Sequence, residues 1–245
     1  MATQTVPVFA IQRAAERAFF DFGWLRTYHS FSFGDYFDPA NTNWGALRVF
    51  NDDTVLPGQG FPTHPHRDME IVTSVLRGEL EHRDSLDHHG VVAPGGIQYV
   101  SAGSGVRHSE FNHATERDVH FVQMWVLPRS AGGAPGYGQR SFEPAERRNR
   151  WLVVAGGEAG VEAPVALNAD ATLRVARLED GAVKHAFAPS RFGFLFVADG
   201  EVSANGERLA TGDAVRLYGV RDLEVSGGGE LVLWDVSPAG EEGGA

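Results

Sequence analysis

The sequence predicts an all-β chain arranged as two small barrels packed together. Three features carry that expectation: short apolar-alternating runs along most of the length, an excess of glycine, and a degenerate internal repeat. The runs fall at residues 45–50, 70–76, 97–100 and 119–127, then at 152–155, 172–178, 192–197 and 231–236. They are rich in Val, Leu and Phe and are bounded by Gly, Pro, Asn and Asp about every ten residues, the pattern of a sandwich or barrel. Thirty glycines in 245 residues is about 12%, against an average near 7%, and no Gly-X-Y period accompanies them.

Helical signal is thin. The stretch Ala10 to Phe19 supports a short helix or, through Phe19, Phe20 and Phe22, the opening of a strand, and the sequence does not choose between them. One helical turn fits between Glu143 and Arg150. From Pro128 to Arg140 two prolines surround a core with Gly132, Gly133, Gly136 and Gly138, which reads as a linker. The chain accordingly divides into residues 1–140 and 141–245.

The two parts repeat one another. Val75-Leu76-Arg77-Gly78-Glu79-Leu80 resembles Val197-Ala198-Asp199-Gly200-Glu201-Val202, and each is followed by a second glycine turn, at Gly95 and at Gly212. Each part then ends in an apolar strand stopped by proline, at Pro128 and at Pro238. Strand, tight turn, strand, glycine turn and return strand make a jelly-roll barrel.

Composition narrows the function classes. With 21 Lys+Arg against 32 Asp+Glu the net charge is −11, which argues against nucleic acid because phosphate binding needs a concentrated basic face. The one basic run, Arg147-Arg148-Asn149-Arg150, reads as a solvated turn. The absence of cysteine excludes disulfides, thiolate metal sites and cysteine nucleophiles, and accords with a reducing compartment. Residues 1–20 carry Arg13, Glu16 and Arg17 and no apolar core of a secretory signal. Nowhere do 18 apolar residues run together, so no membrane span is expected and the expected location is cytoplasmic.

Two short motifs carry chemistry. In His64-Pro65-His66, residues i and i+2 of a strand share a face, so both imidazoles enter one barrel interior. Pro65 offers no backbone donor, which places this strand at an edge or makes it irregular. His108-Ser109-Glu110 has the same i, i+2 geometry and follows the dense turn Gly103-Ser104-Gly105. Facing each other, the two motifs supply three nitrogens and one oxygen, a set that suits Fe, Ni, Cu, Zn and Mn. Four protein ligands on a metal that accepts five or six leave room for substrate, water or dioxygen.

The run Gly60-Phe61-Pro62-Thr63-His64-Pro65-His66-Arg67-Asp68-Met69-Glu70 and the run Ser101-Ala102-Gly103-Ser104-Gly105-Val106-Arg107-His108-Ser109-Glu110 resemble the signature of the pirin family. The similarity extends to Tyr28-His29-Ser30-Phe31-Ser32-Phe33, to Ala46-Leu47-Arg48-Val49-Phe50-Asn51-Asp52-Asp53 and to Gln123-Met124-Trp125, and more loosely to residues 137–142. Pirins are bicupins, so the resemblance implies two packed cupin (jelly-roll) domains. It puts His64, His66, His108 and Glu110 at the family's metal positions. It also implies one divalent ion per chain, Fe(II) first, with Mn, Co, Ni, Cu or Zn open. The implied activity is quercetin 2,3-dioxygenase, with dioxygen and a small aromatic substrate as partners. Eukaryotic pirins are linked to transcriptional co-regulation, which leaves a second reading: a metal- or redox-responsive regulator that binds protein partners without turnover. A hydrolase or isomerase using the ion as a Lewis acid is a third.

Within the dioxygenase reading Glu110 is the expected proton acceptor and Glu70 its reserve. Glu70 lies four residues past His66, which on a continuous strand keeps the same face, so it is expected as a hydrogen-bond partner of the site or a core acid, with a fifth ligand or a solvent-facing residue as the alternatives. His82, His88 and His89 fall in a charged stretch that reads as a solvated hairpin loop, His113 as a residue at or beyond the pocket edge, and His120 as a satisfied buried histidine. Phe31, Phe33, Tyr36, Phe61 and Trp125 are candidate walls of a flat apolar cavity, each equally readable as core. The repeat puts Ala186 and Ala188 opposite His64 and His66, and Val225 and Gly227 opposite His108 and Glu110. With His185 solitary, the second barrel is expected to hold no metal.

Overall fold

The computed structural model describes residues 6–239; residues 1–5 of the stretch inspected for a secretory signal, and the far ends of both predicted domains, lie outside them. After β1 (Val8–Gln12), a 3-10 turn at Ala14–Glu16 leads to β2 (Ala18–Asp21), β3 (Leu25–His29), β4 (Leu47–Val55), β5 (Gly60–His66) and β6 (Glu70–Arg77). Next come β7 (Leu80–Asp84), β8 (His89–Val92), β9 (Gly96–Ser101), β10 (Val106–Asn112), β11 (Val119–Val126) and β12 (Gly136–Ser141). A second 3-10 turn, Pro144–Glu146, precedes β13 (Leu152–Gly156), β14 (Ala171–Ala186), β15 (Phe192–Ala204), β16 (Glu207–Ala210), β17 (Ala214–Tyr218) and β18 (Asp222–Val236). The fold is all-β, two cupin barrels side by side, and every run read as a strand in the sequence overlaps one. Among the described residues no helix is long and apolar enough to cross a membrane.

The first barrel closes a large sheet, in the order β12-β9-β6-β11-β4-β3-β2, against a small one, β5-β10-β7-β8. β5 pairs only with β10 and so forms an edge, where Pro62 and Pro65 leave no ladder bond unmade. The second barrel is one sheet, β1-β17-β15-β18-β14-β13, with β16 on β15. Two details depart from the sequence reading. β1 pairs with β17, so the N-terminal strand belongs to the second sheet although it lies before residue 140. The expected linker is partly strand, since Gly136–Ser141 pairs with Gly96–Ser101 as the outermost strand of the large sheet.

Period-2 alternation sorts the large sheet into two faces. Phe50, Val72, Met124 and Val126 point outward into the core shared with Phe194, Phe196 and Trp234 of the second barrel. Phe50 lies 4.9 Å from Phe194 and 4.8 Å from Phe196, ring centre to ring centre. The residues between them, Asn51, Asp53, Thr73 and Gln123, point into the first barrel. The two halves therefore share one apolar interface, and the inner face is left free for polar groups. Gly78 and Gly200, matched in the repeat, both take positive φ, at 77° and 92°. A Cβ on Gly78 would meet the Asp118 carbonyl at 2.6 Å, so that turn admits no side chain.

Candidate metal centre

β5 and β10 are antiparallel with His64 directly opposite His108 and His66 opposite Val106. Strand alternation sends all three imidazoles to one side, where their ligand nitrogens lie within 4.8 Å of one another. The Nε2 atoms of His64 and His108 are 3.1 Å apart. Metal–imidazole bonds of about 2.0–2.1 Å put neighbouring ligands of one ion roughly 3 Å apart, so this spacing suits a shared cation. Burial, with the neighbouring imidazoles, lowers His66 and His108 to about 3 each. Both rings are neutral at ordinary pH, which is the form that ligates.

A register shift between His108 and Glu110 brings Glu110 opposite Phe61. The Glu110 carboxylate lies within 4.8 Å of ligand atoms of His108 and His82. Its oxygens accept from the side-chain amides of Gln98 and of Gln123, the latter at 2.8 Å. Burial pushes its pKa up despite those amides and the nearby imidazoles. Among the described residues no arginine or lysine is paired with it, and a divalent cation would supply the positive charge. The donor types, three imidazoles and a desolvated carboxylate, fit a divalent transition metal.

The two glutamines belong to a row that crosses the sheet. His29 stands opposite Asn51, Asn51 opposite Gln123, Gln123 opposite Thr73, and Thr73 opposite Gln98. Beside this floor lies a cavity of about 510 Å³, lined by His64, His66 and Glu110 and walled by Phe20, Phe33, Tyr36, Phe61 and Trp125. Trp125 meets His66 edge-on at 4.8 Å and Phe33 at 5.3 Å. Four of the five aromatic candidates line the cavity. Phe31 does not: it is buried in the interface between the barrels, 5.5 Å from Phe194.

Glu70 is a core acid, as one of the two leading readings had it, and its expected place at the site as partner and reserve proton acceptor is corrected. β5 ends at His66, Asp68 takes φ 49°, and the chain crosses to the large sheet before Glu70 opens β6. There the odd-numbered residues face the barrel interior and Glu70, like Val72, faces the second barrel. It accepts from Ser101 Oγ at 2.6 Å and from the Asn168 backbone N–H at 3.0 Å. The side chain ties the domains together and is absent from the site, because the turn broke the i, i+4 relation that assumed one strand.

His82 is the opposite correction. It is fully buried on β7 rather than solvated, stacked on Tyr137 at 4.1 Å and 3.2 Å from Asp84 Oδ2. Leu80, His82 and Asp84 alternate with the more exposed Glu81 and Arg83; that period was legible, but the density of charge masked it. The reading holds for His88 and His89 in part: His89 is exposed, whereas His88 sits at the tip with Nδ1 3.0 Å from Asp84. His113 pairs with Glu81 at the surface and His120 with Asp52 at 2.6 Å. His185 is not solitary, since Asp235 lies 2.8 Å away.

Comparison with known proteins gives the lineage. The pirin family model matches residues 10–126, and a model described as the quercetinase C-terminal cupin domain matches residues 153–233. A quercetin 2,3-dioxygenase of Escherichia coli (strain K12) is 36% identical over 231 residues, covering 93% of this chain and 98% of its own. A pirin-like protein of Caulobacter vibrioides is 41% identical over 206 residues, 84% of this chain and 87% of its own. The crystal structure of the bacterial pirin YhhW from Escherichia coli in complex with nickel(II) superposes with a TM-score of 0.87 at 35% identity, covering 94% of this chain and all of that one. With these matches spanning both barrels, the chain belongs to the pirin family of bicupins.

Proposed function

We propose that this protein is a metal-dependent dioxygenase that cleaves flavonols such as quercetin. The observation that carries the reading is the convergence of His64, His66 and His108 beside the buried Glu110, at the wall of an aromatic-lined cavity of about 510 Å³. Such a cavity suits a flat, drug-sized ligand better than a macromolecule. Quercetin 2,3-dioxygenase is the name of a relative that covers nearly the whole chain, and the nickel complex of YhhW supports a divalent ion. Fe(II) is the resident metal of this proposal, with Mn, Co, Ni, Cu and Zn as competitors for the same nitrogens and oxygen.

His64, His66, His108 and Glu110 would hold the ion. When bound, it supplies the positive charge that stabilises a deprotonated enol and the redox centre at which dioxygen reacts. The protein does the rest. Glu110 accepts the enolic proton; burial holds its carboxyl above the ordinary value in the metal-free protein. Gln98 and Gln123 fix both of its oxygens, so the carboxylate meets the substrate in one orientation. Phe33, Phe61 and Trp125 hold the aromatic plane and keep water from the reacting carbon.

The test is elemental analysis and an aerobic flavonol assay on one preparation. One divalent ion per chain is expected, with dioxygen consumed in step with the loss of flavonol absorbance. Full metal loading without flavonol turnover would overturn the proposal.

A further inference from the structure

The cavity has a second polar end that the metal chemistry does not use. Thr27 and His29 on β3 and Asn51 and Asp53 on β4 all line it, with Thr27 opposite Asp53 and His29 opposite Asn51. Each is at least nine-tenths buried. His29 Nδ1 and Asn51 Oδ1 meet no hydrogen-bonding group of the protein, and the Asp53 carboxyl meets only the Thr27 hydroxyl. Buried polar atoms in folded proteins are normally satisfied, and an orphan is a cost the fold does not need to carry. Orphans gathered at one end of a cavity mark a place built for a ligand's polar group.

Their position selects which group. Neighbouring strands lie about 4.8 Å apart, so Asn51 is about 5 Å and His29 about 10 Å from Gln123, which holds Glu110. Between the two ends the walls are aromatic. Trp125 touches His66, Phe33 touches Trp125, and His29 meets Phe33 at 5.2 Å. A ligand held at the His64, His66 and His108 end would have its distant ring, not the oxygens held there, over these four residues.

We propose that Thr27, His29, Asn51 and Asp53 form a second recognition subsite that hydrogen-bonds a hydroxyl on the far ring of a bifunctional aromatic ligand; the identity of that ligand as a flavonol rests on the dioxygenase reading. A phenolic hydroxyl donates to Asn51 Oδ1 or Asp53 Oδ1 and accepts from the imidazole of His29. The specificity follows from the unpaired state: an analogue lacking the hydroxyl leaves these groups buried and unsatisfied, which a pocket penalises far more than a missing methyl group.

The experiment uses three 3-hydroxyflavones with two, one or no hydroxyl on the pendant ring. Dissociation constants are read by tryptophan quenching on the metal-loaded protein without oxygen, and kcat/KM with oxygen, for wild type, Thr27→Val and Asn51→Leu. The dihydroxylated ligand should bind wild type at least about tenfold tighter than the unhydroxylated one. In each variant that ratio should shrink toward unity, and the thermal midpoint of the metal-free protein should stay level or rise. Equal affinities of wild type for all three ligands, or discrimination that survives both substitutions, would refute the subsite. So would a lowered midpoint in both variants, because it would assign these groups to the fold. The two readings fail separately: discrimination in binding without turnover sinks the dioxygenase and keeps the subsite, and turnover without discrimination does the reverse.

Discussion

The two barrels share a fold and differ in what fills them. In the second, the inner positions of β15, β17 and β18 are Leu195, Val197, Val215, Leu217, Leu231 and Leu233, and they close into an apolar core. In the first, equivalent inward positions are His29, Asn51, Asp53, Thr73 and Gln123, and a cavity remains. Charges are treated differently too. Asp235 of the second barrel is buried, but His185 and Arg191 bind it at 2.8 and 2.6 Å, and Arg191 also takes Asp170 at 2.7 Å. Among the described residues Asp53 and Glu110 of the first barrel have no such ion pair. One scaffold thus yields a self-satisfied brace and an unsatisfied receptacle, and side-chain choice on alternate strand positions makes the difference.

Substituting the site toward the second barrel's chemistry should have the largest effect. His64→Ala or His108→Ala should abolish metal retention and flavonol turnover together, exceeding the roughly 10- to 100-fold loss typical of an outer-shell change. Metal content by elemental analysis and oxygen uptake on the same samples check it. Wild-type activity in either variant, stripped of metal, would refute the shared site. Breaking the second barrel should act on stability instead. Asp235→Asn leaves Arg191 with a weakened partner and is expected to cost up to about 3–5 kcal/mol in urea denaturation, the scale for a broken buried pair. Asp53→Asn, with no ion pair to break, should cost nothing comparable.

Much of this was legible in the chain. Alternation and glycine turns marked the strands, and the two i, i+2 motifs marked the imidazoles that come together, because both signals are local. What escaped depends on where strands are laid. Glu70 follows His66 closely in sequence, yet a turn at Asp68 carries it to the opposite sheet, and its side chain faces the other barrel. The polar row from His29 to Gln98 draws one residue from each of five strands, so no window of sequence contains it. His82 lay in plain alternation, but a charged neighbourhood resembles a solvated loop until the register with His108's strand is known; Glu110 is its partner there.

The contrast between the two aspartates also predicts opposite responses to pH. Burial first, then the charges of Asp52 and Glu110, push Asp53 up to about 7. The folded state therefore holds a proton that the unfolded chain releases near pH 3.8, and stability falls as pH rises between those values. For Asp235 burial alone would raise the pKa, but the bonds from His185 and Arg191 outweigh it and hold the carboxyl below its ordinary value. Its contribution is present at neutral pH and is lost as pH falls through the folded value. For metal-free protein, the stability of Asp53→Asn relative to wild type should grow by at most about 3 kcal/mol from pH 5 to pH 8, at roughly 1.4 kcal/mol per unit until about 7. Urea midpoints at intervals of one pH unit measure the gap. Parallel curves for the variant and wild type would mean that Asp53 is ionised throughout and finds a partner in the barrel, which would erase the distinction between the two interiors.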